Sequence, residues 1–214
     1  MNWLDKLERK FGHLYIPQLM NVIVAGQALV WVIVMLINQN LYYAMMLTRD
    51  GLAHFQLWRL VSFVFLPPIS SALYLVIELY FLWFMGSCLE RAWGGFRLNV
   101  YFLLGMLGSI LSCLLTGFGS STGLFLSLFF AFAWLFPDTQ ILLFFILPVK
   151  AKWMGWAAGI WWAYEFIVGG LYMKVSLVLG LAGFLIFFGR DLWHWCTDTW
   201  INYRRRKQWK NQWK

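Results

Sequence analysis

Residues 120–137 read SSTGLFLSLFFAFAWLFP, three hydroxyl side chains and a glycine leading into an apolar run that closes on a proline. Small hydroxyl residues at such a place serve either as a nucleophile held at a turn or as a cap on the first turn of a helix. An alcohol is a weak nucleophile near neutral pH unless a neighbouring base takes its proton. Bases are scarce here. His13, His54 and His194 are scattered, and each falls outside the long apolar runs. Lys174 opens the last such run, and a serine–lysine pair is an established alternative to imidazole. Its amine can equally reach the headgroups or pair with Glu165. Glu78 sits inside another apolar run. Such a group faces a bundle interior or a wet cavity, as a polar contact for a client helix, a proton-linked switch, or a neutral acid bonded to a neighbouring span. Cys88, Cys113 and Cys196 are odd in number and far apart, so neither a disulfide framework nor a metal box follows. No metal and no cofactor are expected.

The elements that would position these groups belong in a bilayer. Of 214 residues, 62% are hydrophobic and 12% charged, and the mean hydropathy is +0.67. That is too little charge to cover a water-soluble domain. The opening residues, MNWLDKLERKFG, lack the short apolar stretch and small-residue cleavage site of a removable signal peptide. They place Trp3, Leu4, Leu7 and Phe11 on one helical face, so residues 1–20 read as an amphipathic interfacial segment. Residues 21–189 read as six transmembrane helices: 21–37, 72–89, 98–117, 120–136, 153–168 and 171–188. Between the fourth and fifth, DTQILLFFILPVKAK is broken by Pro148 and flanked by charge, an interfacial connector.

Six spans put both termini on one side. With the termini inside, only Arg49, Arg59 and Lys174 of the 17 lysines and arginines fall outside, which places both termini in the cytoplasm of a multi-pass cell-membrane protein. Residues 190–214 form a basic, tryptophan-rich tail. Next to a span, that composition suits anionic headgroups better than nucleic acid. Gly105, Gly108 and Ser109, and Gly155 with Gly159, put small residues where helices approach closely, within the bundle or at a dimer face. The 15 tryptophans suit interface belts, and Pro67 and Pro68 set the entry of the second span.

From residue 56 the chain reads QLWRLVSFVFLPP, then ELYFLWFMGSCLERAWGGFRLNVYFLLGMLG, and later SLFFAFAWLFPDTQILLFFILPVKAKWMGW. These segments resemble the rhomboid superfamily. The pieces are the pair Trp58 and Arg59 in the first outer loop, the G-x-x-x-E signature of Gly86 and Glu90 ending the second span, and Pro137 after the fourth. The resemblance covers roughly residues 56–160 in order and spacing. It implies a six-helix bundle whose fourth helix starts below the outer surface in a water-filled dip. That helix, taken as 123–136, is about 21 Å long and too short to cross alone.

Active members use a serine in a Gly-x-Ser-Gly pattern with a histidine base on the sixth span. By resemblance the serine position falls on Thr122, with Ser120 at the first glycine, Ser121 between, and Gly123 matching the second. Residues 171–189 contain no histidine. The oxyanion-assisting histidine and asparagine positions fall on Tyr74 and Glu78, and an ionised carboxylate there would repel the charge it should stabilise. The resemblance therefore implies an inactive relative, like the Derlins in role, that binds transmembrane clients through the groove beside the second and fifth spans. Two alternatives stand beside it: an intramembrane serine protease using Ser120, Ser121 or Thr122 with Lys174, and a small-solute transporter with Glu78 as its path residue.

Overall fold

The computed structural model describes residues 2–13, 15–67, 71–143 and 147–189, the side chains of 2–5, 142, 143 and 147 excepted. The predicted tail at 190–214, with His194 and Cys196, lies outside the described residues, as does Pro68. The order is α1 (Asn2–Phe11), α2 (Leu19–Leu36), α3 (Asn40–Met45), β1 (Leu47–Thr48), α4 (Arg49–Ala53), α5 (Arg59–Ser62) and a 3-10 turn (Phe63–Phe65). Then come α6 (Ala72–Trp93), α7 (Gly95–Thr116), β2 (Phe118–Gly119), α8 (Thr122–Leu135), β3 (Gln140–Leu143), β4 (Leu147–Lys150), α9 (Ala151–Val168) and α10 (Leu171–Gly180). A last helix, α11, spans Ala182–Gly189.

The architecture fits an all-α membrane protein. Helices α2, α6 and α7 are each long and apolar enough to cross a bilayer, and α10 with α11 makes a fourth candidate if the bent pair is one span. The predicted sixth span is thus not straight: it bends by 54° between α10 and α11. The bend follows Gly180, a weak helix residue whose backbone is pressed against Gly123. Helix α8, at 14 residues, extends about 21 Å, short of a full crossing. Helix α9 is 18 residues long, but with Lys152, Glu165 and four tryptophans its hydropathy does not reach that of the candidate spans α2, α6 and α7.

Bulky apolar residues of α6, α7 and α8 make the core. Leu89, Leu98, Leu124, Leu128 and Phe132 are fully buried. Tyr101 is buried with them, donating its hydroxyl hydrogen to the Ser127 carbonyl at 2.7 Å, with Trp93 and Phe187 against its ring. Small residues set the spacing, as the sequence predicts. A Cβ on Gly105 would meet Leu124, one on Gly108 the Leu179 carbonyl, and one on Gly155 the Ala133 side chain. Those three pack within the bundle, whereas Gly159 faces open space.

The amino-terminal segment is stitched to the end of α6 and the start of α7. Glu8 pairs with Arg97 at 2.9 Å. The Ile16 amide donates to Asn99 Oδ1, and Asn99 Nδ2 donates back to the Ile16 carbonyl. Glu90 Oε1 accepts from the Gln18 amide at 3.0 Å, one of the free donors at the start of α2. Gly86 seats α6 against Met20, where a Cβ would run into the methionine side chain. So both signature residues join α6 to α2.

The connector after α8 is more ordered than the sequence suggests: β3 and β4 pair as an antiparallel hairpin, Gln140 opposite Lys150. Pro148 is tolerated because this two-stranded pair consists of edges alone. Lys150 and Lys152 both donate to Asp138 Oδ1 at 3.3 Å, and these bonds hold the Asp138 carboxyl below its usual range. A depressed carboxylate supports the fold above its unfolded pKa, about 4, and that support goes as pH falls through the lower folded value. Amide exchange at 140–141 and 149–152 is therefore expected to quicken as pH drops below about 4, after correction for intrinsic rates, and Asp138→Asn to erase that dependence.

Candidate functional site

The segment between α2 and α6 lines one side of the site through Tyr42, Met46, Phe63, Leu66 and Pro67. Arg59 is its organiser. Nε donates to Gln56 Oε1 at 2.6 Å, and Nη1 donates to the carbonyls of Tyr43, at 2.9 Å, and Met46. Gly51 leaves room for this guanidinium, since a Cβ there would lie 2.5 Å from Arg59 Nε. Trp58 Nε1 donates to the Ala44 carbonyl. These bonds brace α3 against α5.

The braced loop then grips the chain ahead of α8. Strand β1 pairs with β2, Leu47 opposite Gly119 and Thr48 opposite Phe118. Gly117, at φ 95°, makes the left-handed turn out of α7 that other residues rarely adopt. Its carbonyl accepts from the Arg49 amide. Ser109 Oγ, on α7, donates to the Ser120 carbonyl at 3.1 Å. The stretch Ser120–Gly123 is therefore fixed from two sides before the helix starts.

The hydroxyls interact with one another. Ser120 Oγ and Thr122 Oγ1 are hydrogen-bonded at 2.8 Å, and Ser120 Oγ also accepts from the Thr122 amide at 3.1 Å. Ser121, at the N-cap position, makes no side-chain cap bond. Capping is thus a local turn through Ser120 alone. Gly123 lets α8 touch α10, where a Cβ would lie 2.7 Å from the Gly180 Cα.

These residues open on a cavity of about 1030 Å³. It gathers five positions singled out from sequence: Tyr74 and Glu78 from α6, with Ser120, Ser121 and Thr122. Phe125, Leu126 and Phe129 of α8 line another wall. Glu78 is half-buried, and its Oε2 is buried with no hydrogen-bond partner among the described residues. The neutral acid bonded to a neighbouring span is thus not the arrangement at Oε2.

Lys174 is not brought in. Its neighbours Met173 and Ser176 line the cavity, while Lys174 Nζ lies over the Phe166 ring, 5.9 Å from the centroid. The carboxylate predicted to pair with it is engaged elsewhere: Glu165 Oε1 accepts from Trp161 Nε1 at 2.9 Å, and among the described residues no ion pair joins it to Lys174. His54 Nδ1 contacts the Asp50 carbonyl at 2.8 Å, at the end of α4. Glu90, Gly86 and Pro137 do not line the cavity, and the Pro137 carbonyl accepts from the Lys152 amide. Among the described residues, no three of His, Cys, Asp and Glu gather as a metal site.

The contribution of α10 was not foreseen from the sequence. Tyr172, Met173 and Ser176 line the cavity, and Tyr172 and Ser176 are one turn apart on that helix. That spacing is the signal that could have found them. The cavity as built is an aromatic chamber with one carboxyl group, the mutually bonded alcohols of Ser120 and Thr122, and Ser121 between them. No protein-family model matches the chain, and no curated protein matches it either.

Proposed function

We propose that this chain is a catalytically inactive, rhomboid-like membrane protein that holds transmembrane segments of client proteins. In this reading it crosses the cell membrane six times, with both termini in the cytoplasm, and α8 begins inside a water-filled dip open to the outer side. The observation that carries the reading is the convergence of Tyr74, Glu78, Ser120, Ser121 and Thr122 on one cavity, while the Lys174 amine rests on Phe166. A nucleophile needs a partner to take its proton. Ser120 and Thr122 have each other. A wet cavity beside a short helix is also a place where backbone and hydroxyl groups at membrane depth are tolerable, and where a partner's polar group can be met.

The direct test incubates the purified protein with model transmembrane substrates and with a serine-reactive fluorophosphonate. The expected result is intact substrate and an unlabelled protein. Labelling of Ser120, Ser121 or Thr122 that disappears in Lys174→Ala would overturn the inactive reading.

A further inference from the structure

The cavity has a chemical preference, and this inference rests on the client-binding reading. Among the residues that line it, Glu78 alone carries a formal charge. Around it stand the rings of Tyr74, Phe81, Phe125, Phe129 and Tyr172. Phe81 and Phe129 pack against each other with centroids 5.8 Å apart, which fixes part of that wall. Glu78 Oε2 has no hydrogen-bond partner among the described residues, so the chamber holds a buried acceptor without a donor. Aromatic faces attract cations, and a buried carboxylate is costly unless a cation joins it.

We infer that the cavity selects client transmembrane segments that carry a lysine or arginine at the depth of Glu78. A lone basic residue inside a bilayer is as costly as a lone acid, and each removes much of the other's desolvation penalty when they meet in a chamber with aromatic walls. Glu78 precedes Glu90 by 12 positions, about 18 Å along α6, so the basic residue should lie near the same height above the cytoplasmic interface. The hydroxyl oxygens of the tyrosines and serines that line the cavity with Glu78 would accept the remaining hydrogen bonds of the ammonium or guanidinium group.

The experiment uses the full chain in phosphatidylcholine vesicles with fluorescent leucine–alanine transmembrane peptides. These peptides carry one lysine at successive depths, or leucine, or glutamate. The lysine peptide is expected to bind at least about thirty-fold more tightly than the leucine peptide, with the optimum about 18 Å from the cytoplasmic interface. Glu78→Gln should remove that advantage, and Glu78→Lys should shift the preference to the glutamate peptide. Equal binding of lysine and leucine peptides, or a lysine preference untouched by Glu78→Gln, would overturn the inference while leaving client binding intact. Binding of no peptide at all would sink the client reading, and this inference with it.

Discussion

Gly180→Val is expected to destabilise the protein by about 3 kcal/mol, the upper end of what overpacking costs in a closely packed core. The contact is backbone against backbone. A Cβ at Gly180 would stand 2.9 Å from the Gly123 Cα, and one at Gly123 would stand 2.7 Å from the Gly180 Cα. No flexible side chain can give way there, so the start of α8 and the end of α10 must move apart. Even Gly180→Ala needs that shift and should cost about 1 kcal/mol or more. The two glycines meet at one point, so a single separation accommodates both substitutions. The double variant Gly123→Ala/Gly180→Ala should therefore lose clearly less than the sum of the losses of Gly123→Ala and Gly180→Ala. Reversible unfolding in detergent micelles measures each of them. Because Thr122 adjoins Gly123, the valine variant should also lose peptide binding in vesicles.

Arg59→Ala is expected to cost about 2–4 kcal/mol, since it strips charge-assisted donors from two backbone carbonyls and from Gln56. Arg59→Lys should recover only a small part of this. An ammonium is a point donor on a flexible stem and cannot span Gln56, Tyr43 and Met46 from a planar fork. Gly51 sharpens the contrast, because the space that it leaves is shaped for the guanidinium. The loss should appear as faster amide exchange through 40–62 and at β2. Exchange in the amino-terminal half of α7 should stay at the wild-type rate. Unchanged exchange through 40–62 would instead mark Arg59 as an ordinary surface residue.

Local chemistry explains which features were legible. Glu78 stands out in sequence because an ionisable group in an apolar run is rare. The hydroxyls at 120–122 stand out because they precede a short apolar helix. Both lead to the same cavity in space. The close packing of Gly105, Gly108 and Gly155 could likewise be read from small residues in apolar runs. The Arg59 contacts could not: its acceptors are main-chain carbonyls, which look alike at every position of a sequence. The bend after Gly180 depends on what that glycine touches, and its partner lies in a different helix. The hairpin at 140–150 was masked by apolarity, which suits a strand or a helix equally over so short a run. Tyr172 and Ser176 entered the site through the packing of α10, for which no single residue gives a signal.

Photo-crosslinking of a model transmembrane segment in vesicles tests capture without cutting most directly. A photoreactive side chain at Ser121, inside the cavity, is compared with one at Leu107 on the exposed face of α7. Capture without cutting predicts a strong adduct from position 121 whose peptide has its full, uncut mass, and little from position 107. A truncated peptide in the adduct, or equal labelling from both positions, would contradict it.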